Sequence, residues 1–225
     1  MPLQLKIGST EGTPKRSTKN RSTNHGDNSQ RYQTLEEAKC AAMSCVKCSL
    51  SMTRTNVVFS AGNPLAKLMI IGDGPGQPED ACGLPFVGRA GQLLDKILAS
   101  GNIDREKETY ICSVVKCRPA GNRVPTDDEA AACRPYLEAQ IEFVKPRLIL
   151  LAGATAVQHV LKVKDPISRI RGKWFDYQNN ARVMPVFHPS YLLRHASREP
   201  GSPKWLMWQD IKEVRRLLDL FNEQT

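Results

Sequence analysis

The sequence lacks a run of apolar residues that could cross a membrane. Such a span takes about 18–20 consecutive apolar residues, and the longest run, near Leu148–Val157, is far shorter. The N-terminal region also lacks the apolar core of a secretory signal peptide. We therefore expect neither a membrane-spanning protein nor secretion by the signal-peptide route.

Acidic residues are the scarcer charged class. The chain has 225 residues, with 32 Lys and Arg against 23 Asp and Glu, which gives a net charge of +9 at pH 7. A surplus of this size favours a polyanionic partner, although it does not choose between nucleic acid and membrane lipid. The chain is 40% hydrophobic and 6% aromatic, a composition that excludes collagen, coiled coil and complete disorder.

The seven cysteines indicate metal binding or reduced thiols rather than a disulfide framework, because no signal for export accompanies them. Cys45 and Cys48 form a C-x-x-C pair, which presents two thiolates to one metal from a single turn. Cys117 and Cys133 could complete a site of four thiolates, for zinc or for an iron–sulfur cluster. The other three are expected to be small buried side chains: Cys40, Cys82 and Cys112.

Residues 1–33 differ in composition from the rest of the chain. From Ser9 to Gln33 the sequence is mostly Ser, Thr, Asn, Gly, Lys and Arg. Such a segment buries too little apolar surface to offset the entropy of ordering. We predict a disordered basic tail over residues 1–33 and a single domain over residues 34–225.

Apolar runs of strand length alternate with helical patterns in this domain. Strands are predicted over residues 65–72, 108–115, 147–153 and 182–187, and longer helices over residues 90–100, 126–144 and 154–163. This alternation predicts a parallel sheet with helices on both faces. In such sheets ligands bind at the carboxyl ends of the strands.

Two more helices are predicted near the ends of the domain. The segment Thr34-Leu35-Glu36-Glu37 has the spacing of a capping box and predicts a short helix toward Cys45. A last helix runs from about Pro203 to Phe221, with apolar residues at three- and four-residue spacing. We interpret this stripe as core packing rather than a partner surface: Trp208, Ile211, Val214, Leu218 and Phe221.

Two loops after predicted strands carry polar groups. The turn Gly72-Asp73-Gly74-Pro75-Gly76 is not a dinucleotide fingerprint, because residue 77 is Gln77 and Pro75 interrupts the pattern. It either brings Asp73 close to a small flat ligand or is an ordinary tight turn. His188 follows the fourth strand in the segment FHPSYLLR at 187–194. A rigid loop with apolar and cationic tips is suited to wedging into nucleic acid, while a lone histidine also fits a capping or core position.

Together these segments resemble the iron–sulfur uracil-DNA glycosylases, family 4 of the uracil-DNA glycosylase superfamily. The resemblance extends from about Cys45 to Phe221. The segments that carry it are CVKC at 45–48, RT at 54–55, GNP at 62–64, GDGPGQPED at 72–80, GLPFVG at 83–88, AGQLLD at 90–95, VVKCRP at 114–119, RVPT at 123–126, CRPY at 133–136 and HPSYLLR at 188–194.

The resemblance implies an α/β fold with three layers, α/β/α, around a central four-stranded parallel sheet. It implies a structural [4Fe–4S] cluster. The positions that match the ligands of this cluster are Cys45, Cys48, Cys117 and Cys133. The implied activity is hydrolysis of the N-glycosidic bond of deaminated bases in DNA, uracil above all, in base excision repair. We expect a monomer that acts on such DNA in the cytoplasm, associated with the nucleoid in a prokaryote.

The resemblance also implies roles for single residues. Asp73 matches the carboxylate that orients water and stabilises positive charge on the sugar, and His188 matches the donor to the leaving base. Gly74, Phe86 and Ser113 match the base-binding positions, with Phe86 stacking on the flipped base. The loop that enters DNA supplies the DNA-binding positions, with either leucine as the wedge: Pro189, Ser190, Leu192, Leu193 and Arg194. Because the motifs offer no lysine as a Schiff-base nucleophile, a monofunctional glycosylase is expected.

Two positions depart from the family pattern. Asp73 stands where the family usually has Glu, and Ser113 stands where an Asn usually reads the uracil edge. A hydroxyl reaches less far than an amide and carries its donor and acceptor on one atom. Three outcomes stay open: slow uracil removal, a pocket that also admits hypoxanthine or xanthine, and DNA binding without catalysis.

Two alternatives belong to other functional classes. One is a non-catalytic iron–sulfur module that only binds DNA, which predicts salt-sensitive DNA affinity without an abasic product. The other is an oxidoreductase that uses the cluster for electron transfer, against which the failed dinucleotide pattern at residues 72–77 speaks. Zinc in place of the cluster is a lesser alternative.

Overall fold

A six-stranded sheet, whose four central strands are parallel, forms the middle of the molecule. The structure, a computed structural model, describes residues 32–223. Its central strands confirm the four predicted ones: β2 (Leu68–Gly72), β3 (Thr109–Ser113), β4 (Leu148–Ala152) and β6 (Arg182–Val186). Two-residue strands that the sequence did not predict, β1 (Ala61–Gly62) and β5 (Phe175–Asp176), pair antiparallel at the edges. The order across the sheet is β1-β3-β2-β4-β6-β5.

Helices cover both faces of this sheet. The five predicted ones are present: α1 (Leu35–Met43), α3 (Arg89–Ser100), α5 (Asp127–Val144), α6 (Ala154–Leu161) and α9 (Pro203–Glu223). Four short helices were not predicted: α2 (Gln77–Cys82), α4 (Arg105–Glu108), α7 (Ile167–Ile170) and α8 (Pro189–Leu193). At four to six residues, these helices are too short to show an amphipathic period in the sequence.

The three predicted layers follow from the alternation of side chains along β2. Met69 and Ile71 pack on one face, in the cluster that also contains Leu137 of α5 and Val157 of α6. Leu68 and Ile70 pack on the opposite face with residues of α3 and α9, including Leu94, Leu98, Ile211 and Val214. A strand buried on both faces needs an uninterrupted apolar run, which is why LMIIG reads as continuous rather than alternating.

Local signals explain where two of the helices begin. Thr34 caps α1 by accepting a hydrogen bond from the amide of Glu37 at 3.1 Å. The Glu37 carboxylate accepts from Gln33 rather than from Thr34, so the predicted box is shifted by one residue. Thr126 and Glu129 form a complete capping box at the start of α5.

The predicted tail and the three cysteines outside the ligand set can be compared with the structure. The predicted tail lies outside the described residues except for Tyr32 and Gln33, and Tyr32 is buried with its ring stacked 5.8 Å from that of Tyr136. Cys112 is buried in β3 as expected, but Cys40 and Cys82 are exposed, because they lie on the outer sides of short helices. None of the helices in the described range combines the length and apolarity that crossing a bilayer requires.

Candidate active site

A pocket of about 300 Å³ opens at the carboxyl edge of the central strands. It is bounded by the loop after β2, the end of β3 and the loop after β6, as the parallel sheet predicts. Six of the expected site residues line it together: Asp73, Gly74, Phe86, Ser113, His188 and Ser190. Two larger clefts, of about 430 and 490 Å³, contain neither Asp73 nor His188. Chemistry rather than size therefore identifies this pocket as the candidate site.

The Asp73 carboxylate lies between the end of β2 and the N-terminus of α6. The amide of Ala156 donates a hydrogen bond to Asp73 Oδ1 at 3.2 Å, and the positive end of the helix favours an anion there. Burial nevertheless raises the pKa of Asp73, and the neighbouring His188, together with the hydrogen bonds from Ala156 and Thr155, only partly lowers it again. Asp73 is thus a carboxylate that gains a proton more readily than an exposed one.

Gly153 allows Asp73 and His188 to approach each other. It precedes α6 with a φ of +103°, a conformation that side chains rarely adopt. A Cβ at this position would lie 3.1 Å from Asp73 Oδ1 and 3.2 Å from His188 Cβ. Any side chain at residue 153 would therefore displace one of the two polar groups.

The hydrogen bonds of His188 define its tautomer. His188 caps α8, and its Nδ1 accepts from the amide of Ser190 at 3.1 Å, with Ser190 Oγ at 2.7 Å. Because Nδ1 accepts, the proton of the neutral ring is on Nε2. Burial lowers the pKa of His188, while Asp73 partly raises it. The ring is therefore a neutral donor through Nε2–H at neutral pH.

Phe86 forms an aromatic wall opposite His188. The two ring centroids are 5.8 Å apart with an interplanar angle of 32°. Phe86 has a φ of +53°, an unfavourable backbone conformation that neighbouring contacts must maintain. Arg105 supplies two of them, since its guanidinium donates to the carbonyl oxygens of Phe86 at 3.1 Å and Pro85 at 2.9 Å.

Two glycines make room for Phe86. A Cβ on Gly91 would lie 1.8 Å from the carbonyl oxygen of Phe86, and a Cβ on Gly72 would lie 2.6 Å from its ring. Both distances are far below van der Waals contact, so these positions require glycine. The motif segments contain both glycines, but the sequence did not indicate that they serve the same aromatic ring.

Glu79 joins the loops on two sides of the pocket and was missed by the sequence reasoning. Its carboxylate accepts from the amides of Gly76, Val87 and Gly88 at 2.9–3.1 Å. A buried carboxylate with three backbone donors is well satisfied, so Glu79 acts as a fixed brace rather than as a reacting acid. The signal was its place three residues after Gly76, the spacing of a capping box.

Residues 122–125 also line the pocket, and the sequence reasoning missed them as site residues. Within this turn, Arg123 pairs with Glu129 at the start of α5, with N–O distances of 2.6 and 2.8 Å. Glu129 also accepts from Ser49 Oγ at 3.2 Å, directly after Cys48. This polar bridge joins one wall of the pocket to the cysteine segment.

Ser113 lies at the pocket floor, at the end of β3 and in register with Gly72 of β2. Its carbonyl oxygen accepts from the buried ammonium of Lys116 at 2.5 Å, and the same ammonium donates to Gln140 Oε1 at 2.6 Å. Lys116 is 1% exposed, so these bonds replace its hydration. They fix the chain between the pocket floor and Cys117.

The loop after His188 places its predicted DNA-binding residues at different depths. Leu192 is 1% exposed and Pro189 is also buried, while Leu193 is 38% exposed and Arg194 is on the surface. The turn of α8 directs the two leucines in different directions, one into the core and one outward. Leu192 and Pro189 therefore have little side-chain surface exposed, and Leu193 is the leucine available as a wedge.

The four cysteines of the predicted ligand set line one small cavity: Cys45, Cys48, Cys117 and Cys133. All are free thiols. Arg54 donates to Cys117 Sγ and the amide of Lys116 donates to Cys133 Sγ, both at 3.3 Å. Within residues 32–223, no three Cys, His, Asp or Glu side chains are arranged to hold a single metal ion. The thiols thus surround a common space without converging on one point.

The sequence of this chain is similar to those of known proteins. The model of the Uracil DNA glycosylase superfamily matches residues 59–212. A type-4 uracil-DNA glycosylase of Thermotoga maritima is 45% identical over 84% of this chain and 96% of its own length. Enzymes of the same name from Archaeoglobus fulgidus and Sulfurisphaera tokodaii are 39% and 36% identical, over 72% and 82% of this chain and 84% of each relative.

Proposed function

The chain belongs to the uracil DNA glycosylase superfamily, and within it to the type-4 uracil-DNA glycosylases, and from this membership we propose that it hydrolyses the bond between uracil and deoxyribose in DNA. It is a DNA-repair hydrolase. The observation that carries the proposal is the pairing of a neutral His188 donor with the Asp73 carboxylate in a pocket walled by Phe86. The steps below assign the chemistry to these residues.

The pocket lies within the protein, at the carboxyl edge of the central strands. The target nucleotide must therefore leave the DNA stack to enter it. Phe86 supplies the surface on which the base stacks, an interaction worth about 1–3 kcal/mol per base. Gly74 and Ser113 line the same pocket. Leu193 and Arg194 are exposed and follow the pocket residue Ser190 by three and four positions, and we propose that they fill the gap and contact the backbone of the DNA.

Cleavage leaves negative charge on the base and positive charge on the sugar. His188 donates from Nε2 to the base oxygen where the negative charge develops, and its orientation is fixed beforehand by the Ser190 amide. The ionised Asp73 is negative, so it stabilises the positive charge that develops on the sugar and orients the attacking water. The residues lining the pocket include no lysine, which supports hydrolysis without a Schiff-base step.

Ser113 bears on which base is accepted. Its hydroxyl offers one atom to the base edge where an amide would offer two, and its smaller volume leaves space. We infer that this protein removes uracil more slowly than it would with an Asn at residue 113. The alternative is that the larger space admits other deaminated bases.

We propose that Cys45, Cys48, Cys117 and Cys133 hold a [4Fe–4S] cluster. In such a cluster the thiolates bind different irons, whereas in a zinc site all four must lie about 2.3 Å from one ion. The common cavity brings all four cysteines to one place, and the resemblance to the iron–sulfur glycosylases favours the cluster over zinc. When bound, it supplies four iron–sulfur bonds that join three distant segments of chain. Arg54 and the Lys116 amide stabilise the sulfur charge through hydrogen bonds.

The test is single-turnover cleavage of oligonucleotides that carry one uracil, hypoxanthine or xanthine, with alkali used to reveal abasic sites. We expect the cluster-loaded protein to release uracil. His188→Ala should lower the cleavage rate by at least about 100-fold, since one preorganised donor contributes about that factor. Cleavage at purine lesions alone would reassign the substrate. DNA binding without any cleavage would favour the non-catalytic alternative. Monomeric state and cytoplasmic location stay predictions of the sequence.

A further inference from the structure

A second cleft, of about 490 Å³, lies between α3, α8 and the first turns of α9. Cationic and indole side chains line it, together with apolar residues from the three helices: Lys96, Arg198, Lys204, Trp205, Trp208 and Leu192. We call this cleft the α9 groove. The mechanism described above makes no use of it.

The cations of the α9 groove have no acidic partners. Among the described residues, Lys96, Arg198 and Lys204 form no ion pair, and the lining contains no Asp or Glu. Elsewhere on the same surface, Arg105 and Arg215 are each paired with carboxylates. An uncompensated positive groove fits an anionic occupant.

The indole of Trp208 distinguishes the groove from a merely basic surface. The apolar stripe of α9 is core packing at Ile211, Val214 and Leu218, as expected, but Trp208 is 38% exposed, so the core-packing interpretation is wrong at this residue. The ammonium of Lys212 lies 3.7 Å from the centroid of its ring. Exposed aromatic rings among cations are the combination that binds single-stranded nucleic acid.

Two helices connect the α9 groove to the base pocket. Helix α8 places Ser190 in the pocket and Leu192 in the groove, and α3 places Ala90 in the pocket and Lys96 in the groove. Six residues of α-helix span about 9 Å at roughly 1.5 Å per residue. The groove therefore begins about 9 Å from the base pocket along α3, close enough for the strand that leaves the pocket to enter it. The exposed Leu193 and Arg194 belong to this same part of the surface.

We propose that the α9 groove binds the target strand beside the flipped nucleotide as an unpaired single strand. Its phosphates contact Lys96, Arg198 and Lys204, and one of its bases stacks on Trp208. This inference rests on the proposed function, because the base pocket sets where the strand must pass. An acidic protein segment would also match the charge, but it would have no reason to follow the helices that lead out of the base pocket.

The experiment measures the affinity of the full chain for an oligonucleotide with a central tetrahydrofuran abasic analogue, as a single strand and as a duplex. For Lys204→Glu we expect about a ten-fold loss of single-strand affinity and a salt slope reduced by about 0.7, the value of one phosphate contact. For Trp208→Ala we expect a loss of about five-fold or more on the single strand, and a smaller loss on the duplex. The new Glu lies in the first turn of α9, where a carboxylate favours the helix.

Arg147→Glu is the matched control. Arg147 is exposed immediately before β4, at the amino end of the parallel strands, whereas the base pocket lies at their carboxyl end. It should leave single-strand affinity within about two-fold. Equal losses of single-strand affinity for Arg147→Glu and Lys204→Glu would overturn the proposal. Unchanged DNA affinity in both Lys204→Glu and Trp208→Ala would also overturn it, and is the result expected if the groove binds a protein instead. Equal losses on duplex and single strand would overturn the assignment to an unpaired strand. Because binding is measured on uncleavable DNA, these outcomes are independent of uracil release, whose absence in the parent would instead reject the proposed function.

Discussion

At the scale of single residues, the environments of His188 and Asp73 displace their pKa values in opposite directions. Burial lowers the pKa of His188 and raises that of Asp73, because a buried site penalises whichever form carries charge. The proposed mechanism needs a neutral imidazole and an ionised carboxylate. The histidine is thus favoured in its working form, while the carboxylate is held in a form that its surroundings disfavour.

These shifts predict the pH dependence of cleavage. As pH falls, Asp73 gains a proton at a higher pH than an exposed Asp would, and a protonated His188 could no longer accept from the Ser190 amide. We expect the single-turnover rate to fall on the acidic side and to level off above it. Affinity for uncleavable abasic DNA over the same range is the control. A rate that rises toward acidic pH would contradict these roles.

Asp73→Asn should separate activity from stability. Removing the carboxylate is expected to lower the cleavage rate by about 100-fold or more. Because the folded state raises the pKa of Asp73, its ionisation disfavours folding, and this effect grows as pH rises through the folded pKa. The variant should therefore unfold at a higher temperature than the parent at neutral pH. A lower midpoint in calorimetry would show that the Ala156 hydrogen bond outweighs the burial.

Ser113→Asn tests base recognition. An added amide can pair with two atoms of the uracil edge, and one extra hydrogen bond is worth about 1 kcal/mol, roughly five-fold. We expect the ratio of uracil to hypoxanthine cleavage to rise by at least that factor. Ser113→Ala, which only removes the hydroxyl, is the control and should not raise it. An unchanged ratio in correctly folded Ser113→Asn would mean that residue 113 does not contact the base.

At the level of secondary-structure elements, α3 fixes the position of the Phe86 ring, which we propose stacks on the base. It starts three residues after Phe86, and Gly91 in its first turn contacts the Phe86 backbone. Arg105 holds the same loop through two carbonyls and pairs with Asp95 of α3. The unfavourable φ of Phe86 is thus maintained by a helix on one side and a guanidinium on the other.

Gly91→Ala should destabilise the protein even though alanine is the better helix former. Alanine normally stabilises a helix interior by about 1 kcal/mol over glycine, but here its Cβ would lie 1.8 Å from the Phe86 carbonyl oxygen. We expect a net loss of about 1–3 kcal/mol in urea unfolding. The exposed neighbour Gln92→Ala should change stability by less than about 0.5 kcal/mol. A stabilised Gly91→Ala protein would show that the Phe86 loop yields without cost.

At the scale of the whole molecule, the cysteine cavity joins parts of the chain that are far apart in sequence. Cys45 and Cys48 follow α1, Cys117 follows β3, and Cys133 lies within α5. The bridge from Ser49 through Glu129 to Arg123 continues from this cavity to the base pocket. If the proposed cluster is bound here, its loss would therefore loosen one wall of the pocket as well as the fold.

Cys48→Ser should lower iron content and thermal stability together. Losing a cross-link worth about 2–3 kcal/mol would reduce the Tm of a chain of this size by about 5–10 °C. Cys82→Ser, at an exposed thiol outside the cavity, should retain iron, visible absorption and Tm. Full iron content in purified Cys48→Ser would remove Cys48 from the ligand set, and zinc in place of iron in the parent would replace the cluster with a different centre.

Local sequence patterns were enough to predict the central parallel strands, the long helices and the edge of the sheet at which the pocket opens. Continuous apolar runs such as 68–71 and periodic stripes such as that of α9 are local patterns, so they can be recognised without the fold. The motif segments also identified Asp73, Phe86, Ser113 and His188, which the structure brings to one pocket.

The neighbours that act on these residues depend on how the chain folds. The tautomer of His188, the raised pKa of Asp73 and the left-handed Phe86 depend on contacts with Ser190, Ala156 and Arg105. The burial of Leu192 and the exposure of Trp208 likewise depend on packing among α3, α8 and α9, which no periodicity contains. Local sequence encodes the elements, whereas burial and long-range hydrogen bonds arise once the elements pack, and these set the chemistry of the site.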